Sequence, residues 1–265
     1  MSVPVALTIA GSDSSAGAGI QADLKTFAAF GVYGTSVVTA LTAQNTKGVF
    51  AIQDVPAEFV AAQMDAVFSD FDVGAVKIGM LANAAAIEAV AAGLDRHRAR
   101  NVVLDPVLLS TSGEALLRPG AIDALRKLIG HARVLTPNLA EAAALLNVPL
   151  ARDEPSMRIQ AEKLLTFGAE AVLIKGGHLD GAQSVDLLVG ANGCERFAAP
   201  RIATKNTHGT GCTFSAAIAA GLAKGLSLGA AVREAKAYVT AAIAAADRLS
   251  LGSGHGPLHH FHKWW

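Results

Sequence analysis

The stretch VALTIAGSDSSAGAGIQADLKTFAAF, residues 5–30, decides the fold of this chain. It opens with an apolar run over 5–10, which is typical of a buried strand. A glycine-rich crossing follows, and an alanine-rich segment of helical period then runs over 20–30. A buried strand that leads directly into a helix is the repeating unit of a parallel sheet covered by helices.

The same alternation continues outward from this unit. Further apolar runs predict buried strands over 37–41, 75–78, 102–104, 134–135 and 171–174. Alanine-rich segments predict helices over 57–69, 84–94, 121–129, 141–146 and 155–167, and two long helices over 210–224 and 228–248. Segments 183–189 and 194–198 flank an Asn-Gly turn and predict a β-hairpin.

This order of elements indicates an α/β fold with a central, mostly parallel sheet and helices on both faces. No linker, composition shift or internal repeat interrupts the pattern. Residues 1–265 are therefore expected to form a single domain.

The composition excludes several classes of protein. The chain has 265 residues, of which 52% are hydrophobic and 17% charged, so it can bury a large core and is not disordered. Its 22 basic and 22 acidic residues balance to a net charge of +0, which argues against binding to nucleic acid or to an anionic membrane. No apolar stretch reaches the ~18–20 residues of a membrane-spanning helix.

The cysteines and the first residues indicate the compartment. Two cysteines, Cys194 and Cys212, cannot form a disulfide framework or a cysteine-rich zinc site. The opening residues lack the basic segment of a signal peptide. A reducing, cytoplasmic setting is therefore expected.

The motif Thr207-His208-Gly209-Thr210-Gly211-Cys212 opens one of the two long helices. Its glycines allow the backbone N–H groups of the first turn to converge without obstruction by a Cβ atom. The helix start adds about half a positive charge, so this turn is suited to hold a phosphate or a phosphoryl group in transfer. The chain has no Walker A motif. The alternative is an ordinary glycine-containing helix start packed on the sheet.

Cys212 lies in the first turn of that helix, where the pKa of a thiol is expected to fall. An ionised thiol next to a phosphate site can accept a proton from an attacking alcohol. The alternative is a small buried apolar residue, which is the commoner fate of a free cysteine. Cys194, in the predicted hairpin, is assigned no function.

Polar residues follow several predicted strands, at the edge of the sheet where ligands gather in such folds. Asp23 lies beyond the first strand and can accept a hydrogen bond from a hydroxyl or an amine; otherwise it is an exposed charge next to Lys25. Gln44 offers both a donor and an acceptor to a heteroaromatic ring, although a loop amide more often bonds within its own turn.

Three further residues in such positions point to nucleotide phosphates. Asn138 and Glu141, at i and i+3, can hold the water shell of Mg²⁺, or they are only an ordinary helix-start pair. Lys175 ends a buried strand and can place a positive charge on a polyphosphate. The histidine- and tryptophan-rich tail over 259–265 lacks suitable partners for a metal and favours packing or subunit contact.

Eight motifs appear in order along the chain: AGSD at 10–13, AGIQADLKT at 18–26, TALTAQNT at 39–46, KIGML at 77–81, VLDPV at 103–107, TPN at 136–138, KGGH at 175–178 and NTHGTGC at 206–212. With them the chain resembles the hydroxymethylpyrimidine/phosphomethylpyrimidine kinases, the thiamine-biosynthetic branch of the ribokinase-like superfamily. The resemblance covers essentially all 265 residues.

The resemblance implies a ribokinase-like fold and an ATP- and Mg²⁺-dependent kinase. The expected substrate is 4-amino-5-hydroxymethyl-2-methylpyrimidine, phosphorylated once to the monophosphate and again to the pyrophosphate. A homodimer is also implied.

The resemblance also assigns roles to particular residues. Substrate-binding residues are Gln44, which reads the pyrimidine edge, and Gly11, Asp23, Met80 and Val107, around the ring or the hydroxymethyl group. Residues at the transferring phosphoryl group are Gly209, Gly211, Cys212 and Lys175. Residues for the nucleotide are Asn138, Glu141, Asp105 and Thr207, of which Glu141 and Asp105 hold Mg²⁺ through water.

Two residues depart from the family pattern. Ala16 stands where glycine is common, which is expected only to stiffen the loop. Thr111 stands where lysine is expected, and this puts nucleotide affinity or closure over the site in doubt.

Two other functions compete with this assignment. Pyridoxal kinases share the superfamily, and some relatives with a cysteine at this position accept pyridoxine. A pyrimidine-binding or regulatory module without catalysis is the second alternative; the intact turn at Gly209–Cys212 and the Asn138–Glu141 pair argue against it.

Overall fold

The computed structural model describes residues 3–108, 114, 116–177, 179 and 181–265. Its strands are β1 (Val5–Asp13), β2 (Tyr33–Asn45), β3 (Gly48–Asp54), β4 (Val73–Ile78), β5 (Val102–Leu104), β6 (Val134–Leu135), β7 (Ala171–Lys175), β8 (Gln183–Gly190) and β9 (Gly193–Pro200). Its α-helices are α1 (Gly19–Ala29), α2 (Ala57–Phe68), α3 (Ala84–Arg96), α4 (Ile122–Leu128), α5 (Leu139–Leu146), α6 (Glu154–Leu165), α7 (Thr210–Ala223) and α8 (Leu228–Ala244). Thr111 and His178 lie outside the described residues.

All nine strands belong to one sheet of order β3-β2-β1-β4-β5-β6-β7-β8-β9. The six strands from β2 to β7 in this order pair in parallel. The sheet ends in antiparallel strands on both sides, β3 on one and β8 with β9 on the other. The expected α/β class with a mostly parallel sheet is confirmed, as is the hairpin after β7.

Helices cover both faces of the sheet because neighbouring residues of a strand point in opposite directions. Leu7 of β1 and Val76 of β4 pack in a cluster with side chains of α2 to α6. Ala6 and Ala75, one residue earlier, pack instead against α1, α7 and α8. Strands buried on both faces read as continuous apolar runs, and this is the pattern that revealed them in the sequence.

Helix α7 is the central helix of its face. Ten consecutive residues, Thr213–Leu222, are buried, so the helix is apolar on all sides and not amphipathic. The side chains of Ala216, Ala217, Ala219 and Ala220 are small enough to let α7 approach both the sheet and its neighbouring helices. The sheet and α8 therefore hold the N-terminal turn of α7 at the carboxyl ends of the strands.

One strand was not predicted from the sequence. Strand β3 pairs with the second half of β2, which runs on to Asn45 and is much longer than the predicted 37–41. None of the β3 residues is buried, so the strand has no apolar face that would produce an alternating pattern.

Within the described ranges, no helix is both long and apolar enough to cross a membrane.

Candidate active site

The first turn of α7 is built on a left-handed glycine. Gly209 precedes the helix with φ of 82°, and a Cβ atom there would lie 1.9 Å from the carbonyl oxygen of Gly17. Both the backbone conformation and the space therefore require glycine. The N–H groups of a first helical turn have no acceptor within their own helix, so this turn can donate to an anion.

Cys212 lies in this turn and is partly exposed. Burial raises the pKa of its thiol to about 11; Asp23 and Asp105 add to the shift, and nearby Lys77 and the backbone N–H of Gly19 oppose it. The predicted lowering of the pKa is therefore wrong. The cost of desolvating a thiolate outweighs the effect of the helix start, and the thiol keeps its proton at neutral pH.

Asp23 lies beneath the site and not on its surface. Its carboxylate is fully buried and forms an ion pair with Lys77, with 2.8 Å between Nζ and Oδ2. Thr8 Oγ1 donates a second hydrogen bond to the same oxygen at 2.6 Å. The alternative of an exposed charge next to Lys25 is wrong, because α1 turns Asp23 toward the sheet. Asp23 Oδ1 has no hydrogen-bond partner among the described residues, and its contact with substrate stays a prediction.

Lys77 stays charged in this position. Burial alone would lower its pKa, but the adjacent carboxylate of Asp23 more than offsets this and holds the pKa above its ordinary value. Its Nζ lies close enough to Cys212 for the two charges to interact. Of this ion pair, the ammonium of Lys77 favours a thiolate at Cys212, whereas the carboxylate of Asp23 disfavours it.

A second ion pair lies beside the same turn. Lys175 Nζ is 2.7 Å from Asp105 Oδ1, which also accepts from Thr136, while Ser215 of α7 donates to Oδ2 at 3.3 Å. A Cβ atom on Gly211 would lie 3.3 Å from Lys175 Nζ and 3.6 Å from Asp105 Oδ2. Gly211 therefore brings the backbone of α7 against these charges, and the structure brings all three predicted residues together.

Asn138 and Glu141 form a reciprocal capping box at the start of α5. Asn138 Oδ1 accepts from the N–H of Glu141 at 2.9 Å, and Glu141 Oε2 accepts from the N–H of Asn138 at 2.7 Å. This is the ordinary helix-start pair, the alternative that the sequence left open. Burial raises the pKa of Glu141 to about 7; Lys175 opposes the shift and Asp105 adds to it.

These acidic groups fit a metal ion only in part. Both oxygens of Asp105 already accept hydrogen bonds, so it is less suited to be a direct ligand than to hold the ion through water, the role that the resemblance implies. Among the described residues, no group of three or more His, Cys, Asp or Glu side chains is arranged to hold a metal ion. Glu141 differs, because a nearby cation would favour its ionised form.

Three predicted substrate residues form an apolar patch near the turn. A Cβ atom on Gly11 would lie 3.0 Å from Met80 Sδ and 3.7 Å from the carbonyl oxygen of Ala40. Met80 and Ala40 belong to a small apolar cluster against which Val107 packs. The patch is suited to the face of a flat ring.

Gln44 lies near the end of β2, between two polar partners. Its Oε1 is 3.0 Å from Thr42 Oγ1, and its Nε2 is 3.3 Å from His208 Nε2. Thr207 contributes through its backbone, because its carbonyl oxygen accepts from both the N–H and the hydroxyl of Thr210. An amide, an apolar patch and a helix start suited to an anion thus share one edge of the sheet.

Comparison with known proteins identifies the family that has this arrangement. Residues 13–259 match the family model for phosphomethylpyrimidine kinase. The chain belongs to the phosphomethylpyrimidine kinase family. It is 61% identical to the hydroxymethylpyrimidine/phosphomethylpyrimidine kinase of Rhizobium meliloti, over 98% of both chains. It is also 53% identical to a Thiamine biosynthesis bifunctional protein ThiED of Geobacter sulfurreducens, over 96% of this chain and 51% of that protein.

Solved structures of the phosphomethylpyrimidine kinase family and of pyridoxal kinases have the same fold. The phosphomethylpyrimidine kinase of Clostridium difficile 630 is 44% identical and superimposes with a TM-score of 0.81, over 91% of this chain and 100% of that one. The ADP complex of Bacillus subtilis pyridoxal kinase is 38% identical, with a TM-score of 0.90 over 99% of both chains. The ribokinase-like fold implied by the motifs is thereby confirmed.

Two residues beside the candidate site of this family member, Lys77 and His208, were not predicted from the sequence. Lys77 lies in an apolar run, and a charged residue in a fully buried strand was the signal that could have found it. His208 lies inside the helix-start motif but was assigned no role. Its Nε2 lies 3.0 Å from the buried carboxylate of Asp13.

The backbone of Ala16 is strained, so alanine at this position does more than stiffen the loop as expected. Its φ of 61° lies in the left-handed region, which costs a residue with a Cβ atom about 1–2 kcal/mol. The loop holds it there because Ala16 N donates to Asp13 O at 2.9 Å and Lys25 Nζ donates to Ala16 O at 2.8 Å.

The tail packs against the protein, as the sequence favoured. His259 and His260 are buried, while Trp264 and Trp265 are exposed. His260 Nε2 lies 3.0 Å from Thr213 Oγ1 of α7, and Tyr238 Oη donates to the His260 carbonyl at 2.7 Å. The tail thus supports α7 from behind the site.

Proposed function

We propose that this chain phosphorylates 4-amino-5-hydroxymethyl-2-methylpyrimidine with ATP, and then phosphorylates the monophosphate to the pyrophosphate. The observation that carries the proposal is the first turn of α7, where Cys212 and two lysines lie beside the anion-binding backbone. The apolar patch of Gly11, Met80 and Val107 is suited to place a flat ring next to that turn. The names of the similar proteins support a pyrimidine substrate and a place in thiamine biosynthesis.

The nucleotide phosphates are proposed to lie between the α7 turn and Lys175. Backbone N–H groups at Gly209–Cys212 would hold the transferring phosphoryl group, and Lys175 would supply positive charge. Magnesium, when bound with the nucleotide, neutralises charge on the phosphate oxygens. Glu141 and Asp105 would hold it through water, and Asp105 would also keep Lys175 in place.

Catalysis is proposed to rest on positioning and charge stabilisation in an in-line transfer. The hydroxymethyl oxygen would lie against Cys212, and the α7 turn would bind the oxygens of the γ-phosphoryl group. Phosphoryl transfer has a loose transition state in most analyses, so a strong base is not needed early. Cys212 would take the alcohol proton in the small fraction of molecules in which it is a thiolate, the form that the charge of Lys77 stabilises.

A direct assay tests the proposed function. Purified protein is incubated with ATP, Mg²⁺ and the hydroxymethylpyrimidine, its monophosphate or pyridoxal, and phosphorylated products are quantified. We expect transfer to both pyrimidines at a kcat/KM well above that for pyridoxal. A preference for pyridoxal would favour a pyridoxal kinase, and binding of pyrimidine without ADP release would favour the non-catalytic module.

Gln44→Leu is expected to weaken pyrimidine binding. Leucine cannot pair with the ring nitrogen or the amino group, and each polar group left unpaired costs about 1–3 kcal/mol. We therefore expect the Kd for the pyrimidine, measured by calorimetry without ATP, to rise at least tenfold. The KM for ATP is expected to change little, and an unchanged Kd for the pyrimidine would contradict the assignment.

A homodimer is proposed to form through the β3 edge of the sheet. Leu41, Phe50, Ile52 and Phe59 of β2, β3 and α2 are large apolar side chains with 37–68% exposure. Strand β3 is also the outermost strand, so its free backbone groups can pair with a second copy.

We further propose that the chain is a single domain and that it works in the cytoplasm. Both described cysteines are free, which supports a reducing compartment.

Phe50→Lys combined with Ile52→Lys is expected to convert the dimer to a monomer. Two charges in an apolar interface would each be desolvated without a partner. Light scattering after size-exclusion chromatography measures the mass directly. Ile159→Lys, on the exposed side of α6, is the matched control and should leave the dimer intact. A double variant that remains dimeric would place the interface elsewhere.

A further inference from the structure

Asp13, His208 and Gln44 form a chain of polar contacts beside the proposed ring site, in which Asp13 and His208 are buried and Gln44 is half-buried. His208 Nε2 lies 3.0 Å from Asp13 Oδ2 and 3.3 Å from Gln44 Nε2. The same ring nitrogen thus faces a carboxylate oxygen on one side and an amide nitrogen on the other. Which of these three groups carries the hydrogen decides how Gln44 is oriented.

Asp13 can only accept hydrogen bonds. Its side chain is buried, and its two oxygens accept from the backbone N–H groups of Ser15, Gly17 and Ala18 and from the Ser15 hydroxyl, all at 2.8–3.0 Å. Burial alone would raise the pKa of Asp13, but the bonds from His208, Ser15 and Ala18 lower it to about 2. His208 Nε2 must therefore carry the hydrogen and donate it to Asp13, because a lone pair there would face a carboxylate oxygen.

This hydrogen conflicts with the Gln44 amine, since Nε2 of His208 cannot donate to Asp13 and also accept from an NH₂ group. Rotating the amide of Gln44 by half a turn removes the conflict. Its oxygen then becomes the second, weaker acceptor of the His208 Nε2–H, which Asp13 and Gln44 share as a three-centre hydrogen bond. Its nitrogen donates to Thr42 Oγ1. Thr42 Oγ1 remains satisfied, because its own hydrogen goes to the Ser12 carbonyl at 3.0 Å.

We infer that His208 is a positioning residue that fixes the Gln44 amide with its carbonyl toward His208 and its NH₂ group toward Thr42. This inference rests on the proposed role of Gln44 at the pyrimidine edge. An aminopyrimidine presents a ring-nitrogen acceptor next to an amino donor, the same order that Gln and Asn read on adenine. An amide held in one orientation can pair its NH₂ group with the ring nitrogen and its carbonyl with the amino group in only one way. His208 is therefore a determinant of specificity that does not touch the ring.

The position of His208 is itself fixed by its neighbours. Its backbone N–H donates to the Gly256 carbonyl at 3.1 Å. A Cβ atom on Gly17 would lie 2.4 Å from His208 Cδ2, so the bare backbone of Gly17 packs directly against the ring. The φ of Gly17 is not left-handed, which means that the space, and not the backbone conformation, requires glycine there.

Binding measurements without ATP test the inference separately from catalysis. The Kd is measured for the hydroxymethylpyrimidine and for its analogue without the 4-amino group. His208→Phe keeps a ring but removes the donor; we expect the Kd for the aminopyrimidine to rise about 3- to 10-fold, which corresponds to loss of one pre-ordered side chain. The Kd for the des-amino analogue should rise less, because it pairs with only one end of the amide.

Three further variants separate positioning from a structural effect. His208→Gln, which can still donate from a similar place, should restore most of the discrimination. Gly17→Ala should resemble His208→Phe, because the methyl group displaces the ring, whereas Gly130→Ala, with only an ordinary 3.6 Å contact to Phe167 O, should bind as the wild type. In the Gln44→Leu background, His208→Phe should have no further effect on the Kd.

The outcomes distinguish this inference from the proposed function. If the wild-type protein binds neither compound, the proposed function is wrong. If it binds the aminopyrimidine but His208→Phe weakens both ligands equally, or adds its full effect to Gln44→Leu, then His208 only supports the helix start and the inference is overturned.

Discussion

Cys212→Ala is expected to lower turnover by ~10²–10⁴, because it removes the group that accepts the alcohol proton. The Kd for the pyrimidine is expected to stay nearly unchanged. The thiol lies in the first turn of α7, between the ion pairs Asp23–Lys77 and Asp105–Lys175. Removing the sulfur leaves the apolar patch and Gln44 in place. Single-turnover kinetics give the rate of transfer, and calorimetry gives the Kd.

The raised pKa of Cys212 adds a dependence on pH to this prediction. A thiol with a pKa of about 11 is almost entirely protonated at pH 7, and the fraction of thiolate grows as the pH rises toward 11. If the thiolate takes the proton, the wild-type transfer rate should rise from pH 7 to ~10, and this rise should disappear in Cys212→Ala. Cys194→Ala, on the exposed strand β9, is the matched control. Near-normal turnover in Cys212→Ala would dismiss the base role.

Lys77→Met is expected to lower the free energy of unfolding by ~3–5 kcal/mol, the typical cost of removing one partner of a buried ion pair. The methionine fills a similar volume but leaves the Asp23 carboxylate fully buried without its counter-charge. Urea denaturation followed by circular dichroism measures the effect.

Two variants control for the Lys77 prediction. Arg100→Met removes the exposed Arg100–Asp72 pair, so its effect should stay below ~1 kcal/mol. The double variant Lys77→Met/Asp23→Leu removes both buried charges and should recover much of the lost stability. A single variant within ~1 kcal/mol of the wild type would mean that the buried pair contributes little.

Local pattern was enough to predict the layered sheet, because strands buried on both faces and helices of period 3.6 leave distinct marks in the sequence. The grouping of the candidate residues at one edge of the sheet also followed, since Gly11 and Lys175 lie in the last residues of a strand, Asp105 follows a strand and Gly211 opens a helix. Strand β3 could not be predicted, because an edge strand without a buried face has no apolar residue at every second position.

From the sequence alone follow the order of all the elements except β3, the family, and a set of polar residues at one edge of the sheet. How those residues pair could be seen only in the folded chain: Asp23 pairs with Lys77, Glu141 closes a capping box, and burial raises the pKa of the Cys212 thiol. The physical reason is that burial and pairing set the energy of a charge, and both depend on residues far apart in the chain, such as Asp23 and Lys77 or Asp13 and His208.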